Sequence, residues 1–539
     1  MKKLIPAYIL SFVISFMIWL YEPITMYANN IEDLWFSLDI IIGPLLLVFF
    51  LTFAILSGIY SLIYYLNNRF LKKIPIYKII LITSFIGFFA LYIQGNYLVY
   101  NLPKLDGDII NWSSYKTDSL ISGGVWIIII LVTSIFLKLK GYDKVEKGYN
   151  YLTLIIFGML FVSLISTLLT TNVFNNKESI EFTMDNINDA STDKNFFIFV
   201  VDAVDSLIFD DVLSKSEYKD TFNDFTYYPD TMSTYPFTRD SIPFILSGIW
   251  NENKDEFLTY FNKAMDKSSL IDSLMEKKYN INLYDMEMFW NTNKAKNASN
   301  ASSKKIHLSK FVFYRQEAKY FIYKYFPYFL KQYSYIETMD FYRCKYRNNY
   351  ELFFWGNPFI YTYFSDNKIN KIDNKNFSFF HLEGGHVPFD MNENLEATSN
   401  GTYEQKLGAT LKVINLFINR LKENNVYDNS VIIVMADHGY NFDNYIGRQN
   451  PILYIKGIDE HHEMYKADLP ISYDDLISTY DELLEGKQST ELFKNIDKNR
   501  KRRFILYEYM KENHMVEYEQ TGKAWDEETL IPTGKEFNR

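Results

Sequence analysis

Five stretches in the first 170 residues contain no Lys, Arg, Asp or Glu: residues 4–20, 40–66, 79–100, 120–137 and 151–170. Each reaches or approaches the ~20 apolar residues a helix needs to cross ~30 Å of hydrocarbon. Ionised side chains are costly in lipid, so uncharged runs of this length specify membrane-spanning helices rather than buried helices of a soluble domain. The whole-chain mean hydropathy of −0.14 conceals them, because an apolar third is averaged with a polar remainder.

The charges between the runs set an orientation. Lys2, Lys3, Arg69, Lys72, Lys73, Lys78, Lys138, Lys140, Lys144 and Lys147 fall on one side, whereas the intervening loops carry Glu22, Glu32, Asp33, Asp39, Lys104, Asp106, Asp108, Lys116 and Asp118. The positive-inside rule then puts the N-terminus in the cytoplasm, and an odd number of spans puts everything after residue 170 outside the cell. The expected divisions are a transmembrane helical domain at 1–171, a polar linker at 172–194 and an extracellular domain at 195–539. The first carries a net charge of +3 and the remainder −13. An acidic total of −10 argues against nucleic acid as a partner. Cys344 is the sole cysteine, which excludes an intramolecular disulfide framework and a Cys-rich zinc module.

Beyond the linker, continuous apolar, β-branched runs at 196–201, 377–380 and 430–435, with a fourth candidate at 452–455, have the pattern of strands buried on both faces. A helical period at 403–424 lies between two of them. Strands alternating with helices imply an α/β sheet covered on both faces. Asp202, His381 and Asp437-His438 follow the first three runs, where parallel sheets bind ligands. Carboxylates and imidazole gathered from several strands suit a divalent cation. A Thr/Ser/Pro cluster at 234–243 opens a short apolar helix expected at 242–249. A hydroxyl at a helix N-terminus near such a cation is placed to become a nucleophile toward a phosphoryl or sulfuryl centre.

These motifs resemble the alkaline-phosphatase/sulfatase superfamily and, within it, the membrane-anchored lipoteichoic acid synthases and phosphoethanolamine transferases. Thr238, Ser241, Pro243 and Ser247 reproduce the Thr-x-x-Ser-x-Pro-x-x-x-Ser pattern of the transferase branch. Asp437, His438 and Gly439 match its Asp-His-Gly, and His381 to Phe389 match a segment bearing substrate-contacting histidines. The resemblance implies Thr238 as catalytic nucleophile and Asp202, Thr238, Asp437 and His438 as ligands of one divalent ion, manganese, zinc or magnesium. It further implies substrate contacts from His381 and His386; Arg239 and Arg448 are candidates for binding phosphate.

The expected reaction is transfer of a phosphoglycerol or phosphoethanolamine head group from a membrane phospholipid, through a phospho-threonine, to a cell-envelope glycan or teichoic-type polymer. A membrane-bound phosphodiesterase or phosphatase is the alternative, using the same site with water as acceptor. Thr234 is a rival nucleophile by its likeness to the sulfatase Cys/Ser-x-Pro-x-Arg signature. That signature requires Cys or Ser for conversion to formylglycine, and Thr gives no such aldehyde. The aromatic stretch at 310–354 is expected to be packing and surface.

Overall fold

The computed structural model describes residues 2–31, 34, 36–70, 74–103, 110–171, 173–174, 181–255, 257–285, 292–302, 308–336, 340–341, 343–344, 352–441, 445–508 and 513–539. The loop charges Glu32, Asp33, Lys72, Lys73, Lys104, Asp106 and Asp108 lie outside the described residues. The chain forms two compact units, one from residues 1–177 with 306–346, the other from 178–305 with 347–539.

The first unit contains five helices long and apolar enough to cross a membrane, as expected of a multi-pass membrane protein: α1 (Ile5–Asn29), α2 (Leu38–Arg69), α3 (Ile76–Tyr97), α4 (Trp112–Lys140) and α5 (Tyr142–Thr170). Their outward faces carry exposed Phe50, Ile55, Ile128 and Val162, the reverse of a soluble bundle. The first span extends past its uncharged run to include Glu22, which is 1% exposed. A carboxylate there needs a partner, and residues 306–346 provide one. Helix α6 (Lys310–Tyr325) brings Lys324 Nζ to Glu22 Oε1 at 2.6 Å, and Tyr325 donates its hydroxyl to Glu22 Oε2 at 2.6 Å. Gly95 of α3 makes room for this, since a Cβ there would lie 2.2 Å from the Tyr325 ring. Part of the aromatic stretch thus falls in the same compact unit as the spans, held by a buried charge that no local pattern advertises.

In the second unit a seven-stranded sheet comprises β1 (Asn195–Val201), β2 (Thr226–Tyr227), β3 (Asn280–Tyr284), β4 (Asn376–Leu382), β5 (Ser430–Met435), β6 (Leu453–Lys456) and β7 (Tyr465–Lys466). Their spatial order is β7-β2-β6-β5-β1-β4-β3. The four strands β5-β1-β4-β3 are parallel, with Val434 opposite Phe199 and Val200 opposite His381. The fourth candidate run pairs antiparallel to β5 rather than extending the parallel set. Alternation along β1 sends Phe196, Ile198 and Val200 to one face and Phe197, Phe199 and Val201 to the other. Helices α7 (Thr238–Ser247) and α9 (Tyr473–Leu484) pack on the first face, and α8 (Tyr403–Glu423) on the second. That double burial is the reason the strands read as continuous apolar runs. β3, with its short polar-flanked sequence, has no counterpart in the sequence reading.

Candidate metal centre and nucleophile

The order of the parallel strands lays five candidate side chains along one edge of the sheet. Asp437 and His438 follow β5, Asp202 follows β1, His381 is the penultimate residue of β4, and Asp285 follows β3. Neighbouring strands lie ~4.8 Å apart, so side chains leaving these ends converge. One ligand atom each from Asp202, Asp437 and His438 lies within 4.8 Å of the others, and all three residues are buried. His438 Nε2 is 3.7 Å from Asp202 Oδ1 and 3.5 Å from Asp437 Oδ2. The His438 ring is oriented from behind by its Nδ1, 2.7 Å from the Gly439 carbonyl oxygen.

Two carboxylates in so dry a site cannot both carry charge without compensation. Burial, and then the neighbouring charge of Asp437, push the Asp202 carboxyl up to about 7. Burial also opposes ionisation of Asp437, but His438, His381, the Thr238 hydroxyl and the Ala203 N–H together hold it below the usual range. Among the described residues, Asp202 Oδ1 and Asp437 Oδ2 are buried without a hydrogen-bond partner. Orphaned carboxylate oxygens facing an imidazole nitrogen fit a divalent cation, which would supply the missing compensation.

Thr238 is the first residue of α7, and its Oγ1 donates to Asp202 Oδ2 at 3.2 Å. The helix starts at Thr238, earlier than the expected 242, with Phe237 as its N-cap and Pro243 inside it. Ser241 and Ser247 instead bond to main-chain carbonyls, of Tyr235 at 3.3 Å and Pro243 at 2.6 Å. Thr234 is fully buried, and its Oγ1 has no hydrogen-bond partner. Only Thr238 of the two hydroxyls is bonded to Asp202.

His381 places Nε2 3.8 Å from Asp202 Oδ2, while its Nδ1 lies 2.9 Å from Asp285 Oδ1. Burial alone would lower the His381 pKa, but Asp285, Asp202 and Asp437 outweigh it and raise it. Asp285 is the residue the sequence reading missed; its signal was the same as at Asp202, an acid just after a strand. His386 is half-buried with Nδ1 2.5 Å from the Val387 carbonyl, and burial lowers its pKa. The glycines between the two histidines are steric requirements. Gly384 has φ +56°, and a Cβ there would fall 2.5 Å from the Asp202 main-chain nitrogen; at Gly385 it would be 2.8 Å from the Tyr403 ring. Tyr403 holds the same turn, donating to the Ala203 carbonyl at 2.8 Å.

The two arginines part company. Arg239 lays its guanidinium 3.7 Å over the Phe257 ring, a packing contact. Arg448 stands over Phe237 at 5.2 Å and Tyr445 at 5.0 Å, and its Nε is buried with no hydrogen-bond partner. Phe237 immediately precedes Thr238, and its ring centroid is 6.4 Å from that of His438. Arg448 is thus the better placed of the two for an anionic oxygen.

The family model described as Sulfatase matches residues 213–498, just over half of the chain, and takes in every candidate site residue except Asp202. The chain belongs to the sulfatase family. The sulfatase superfamily is metal-dependent, and the buried Asp202, Asp437 and His438 form a group that could hold a metal ion. No curated protein matches the sequence. Solved structures similar to this sulfatase-family chain include Ps i-CgsB bound to k-i-k-neocarrahexaose, at 13% identity over 61% of this chain and 82% of that one, with a TM-score of 0.42. An alkaline phosphatase superfamily protein from Vibrio parahaemolyticus is 12% identical over 68% and 84% of the two chains, TM-score 0.35. The C-terminal periplasmic domain of EcEptC from Escherichia coli is 12% identical over 64% and 96%, TM-score 0.33. At such identities and TM-scores, function has to be argued from the residues.

Proposed function

We propose that this sulfatase-family protein is a membrane-anchored phosphotransferase that moves a phospholipid head group, phosphoglycerol or phosphoethanolamine, to a hydroxyl of a cell-envelope glycan or polymer. The observation that carries the reading is the Thr238 hydroxyl bonded to Asp202 at the mouth of a buried Asp/Asp/His cluster. Threonine cannot become formylglycine, so its own oxygen is the available nucleophile, and a chain built on five spans suits a donor that never leaves the bilayer. In this reading the N-terminus is cytoplasmic and the sheet-containing unit extracellular.

Thr238 Oγ1 forms a bond to the donor phosphorus while the bond from phosphorus to the diacylglycerol oxygen breaks. The Thr238 proton passes to Asp202 Oδ2, to which its hydroxyl donates, and diacylglycerol leaves with a proton supplied by His381 Nε2, its Nδ1 being held by Asp285. An acceptor hydroxyl then attacks phosphorus and gives its proton to His381 Nε2, the bond to Oγ1 breaks, and Thr238 takes its proton back from Asp202. Asp202, Asp437, His438 and Thr238 would hold manganese, zinc or magnesium, which when bound lowers the hydroxyl pKa and neutralises phosphoryl charge. Arg448 and His386 orient the phosphoryl oxygens.

The test is incubation of the full-length protein with head-group-labelled phospholipid and envelope glycan. Wild type should release diacylglycerol and label the glycan, and Thr238→Ala should lose at least about 10³-fold in rate, as removal of a nucleophile does, while still binding metal. Unchanged rates in Thr238→Ala would overturn the mechanism; label released only to water would assign a hydrolase.

A further inference from the structure

Between α3, α4 and α5 lies a cleft of about 420 Å³, within the ~300–1,000 Å³ range of ligand pockets. Its walls are apolar: Phe89 from α3, Val132 and Phe136 from α4, and Leu152 from α5. Its mouth is not. Lys140, the last residue of α4, and Lys144, in the first turn of α5, both line it and are exposed. Among the described residues neither makes an ion pair; the nearby Asp143 pairs with Lys78 at 3.2 Å. Lys144 also sits at the positive end of the α5 dipole, where an anion is favoured. Gly148 lines the interior, with open space where a Cβ would lie.

We propose that this cleft binds one anionic phospholipid, with an acyl chain against the apolar walls and the phosphate between Lys140 and Lys144. Charge complementarity selects the occupant: a purely apolar groove would accept any lipid, whereas two unpaired lysines at the membrane surface favour an anionic head group, as basic pockets between spans do. The cleft opens at the start of α5, the opposite end of that span from Thr170, where the chain leaves the bundle. Its lipid therefore comes from the leaflet bordering the 138–147 turn and is distinct from a donor reached at the other end. The bound lipid fastens α4 and α5 together across the Gly141 turn.

Native mass spectrometry of the full-length protein in detergent, titrated with phosphatidylglycerol or with phosphatidylcholine of the same acyl chains, tests this. Wild type should bind a first phosphatidylglycerol at least tenfold more tightly than phosphatidylcholine. Lys140→Gln/Lys144→Gln should erase that preference, Lys140→Arg/Lys144→Arg should keep it, and Gly148→Leu, which fills the cleft without a protein clash, should weaken both lipids. Equal affinity for the two lipids in wild type, or an undiminished preference in the glutamine variant, would overturn the proposal. Binding of soluble glycerol phosphate as tight as that of the lipid would overturn it as well, leaving an anion site. The reading of Thr238 as nucleophile is untouched by any of these outcomes.

Discussion

At the level of single residues, the site depends on groups that do no chemistry themselves. Asp285 accepts from His381 and thereby decides which imidazole nitrogen faces Asp202. Asp285→Asn should lower kcat about 10–100-fold, the usual cost of removing a partner behind a functional histidine. It should also move a pH limb. Asp285 favours protonated His381, so its loss lowers the histidine pKa, and a rate that needs the imidazolium should begin to fall at lower pH than in wild type; kcat against pH for both proteins checks this. Arg239 and Arg448 have different surroundings: the first lies over Phe257, and the second over Phe237, the residue before Thr238.

Among the elements, the loop between His381 and His386 and the helix α6 matter most, because each is fixed by close approach. Gly384 combines a left-handed φ with main-chain contact to Asp202. Gly384→Ala must displace the turn that bears Asp202, and about a tenfold loss of metal affinity with a lowered melting temperature should result. In the first unit, Glu22 is the anchor of α6. Glu22→Gln leaves Lys324 without its counter-charge, and breaking a buried pair from one side costs ~3–5 kcal/mol. Faster hydrogen exchange across residues 310–325 is the expected result, largely reversed in Glu22→Gln/Lys324→Met. The strands β1, β4 and β5 were legible because burial on both faces leaves an uninterrupted apolar run. β3 was not, since Asn280 and Asn282 interrupt its apolar character, and the place of α6 was not, since its aromatic face fits a protein surface as well as it fits a membrane bundle.

For the whole molecule, metal and proton compete for the same carboxylates. Without a cation, burial and the charge of Asp437 push the Asp202 carboxyl up to about 7. A raised carboxyl stabilises the fold fully below the unfolded value and loses that contribution as pH rises through about 7. Chelation should therefore lower the melting temperature more at pH 8 than at pH 6, and metal affinity should weaken as pH falls below about 7; thermal melts with and without EDTA would show no such pH dependence if the cluster were not the receptor. The sequence by itself determined the five spans, the double-faced sheet and Asp202, Asp437 and His438 at its strand ends. These follow from chain-local physics: uncharged length against bilayer thickness, apolar continuity against burial, and an acid where a strand must stop. Only the tertiary structure decided that β3 stands beside β4 and so delivers Asp285 to His381, that Arg239 lies over Phe257 while Arg448 lies over Phe237, and that residues 306–346 join the spans. Those choices rest on contacts between residues tens to hundreds of positions apart, where packing and the pairing of buried charge, rather than any local pattern, select the partner.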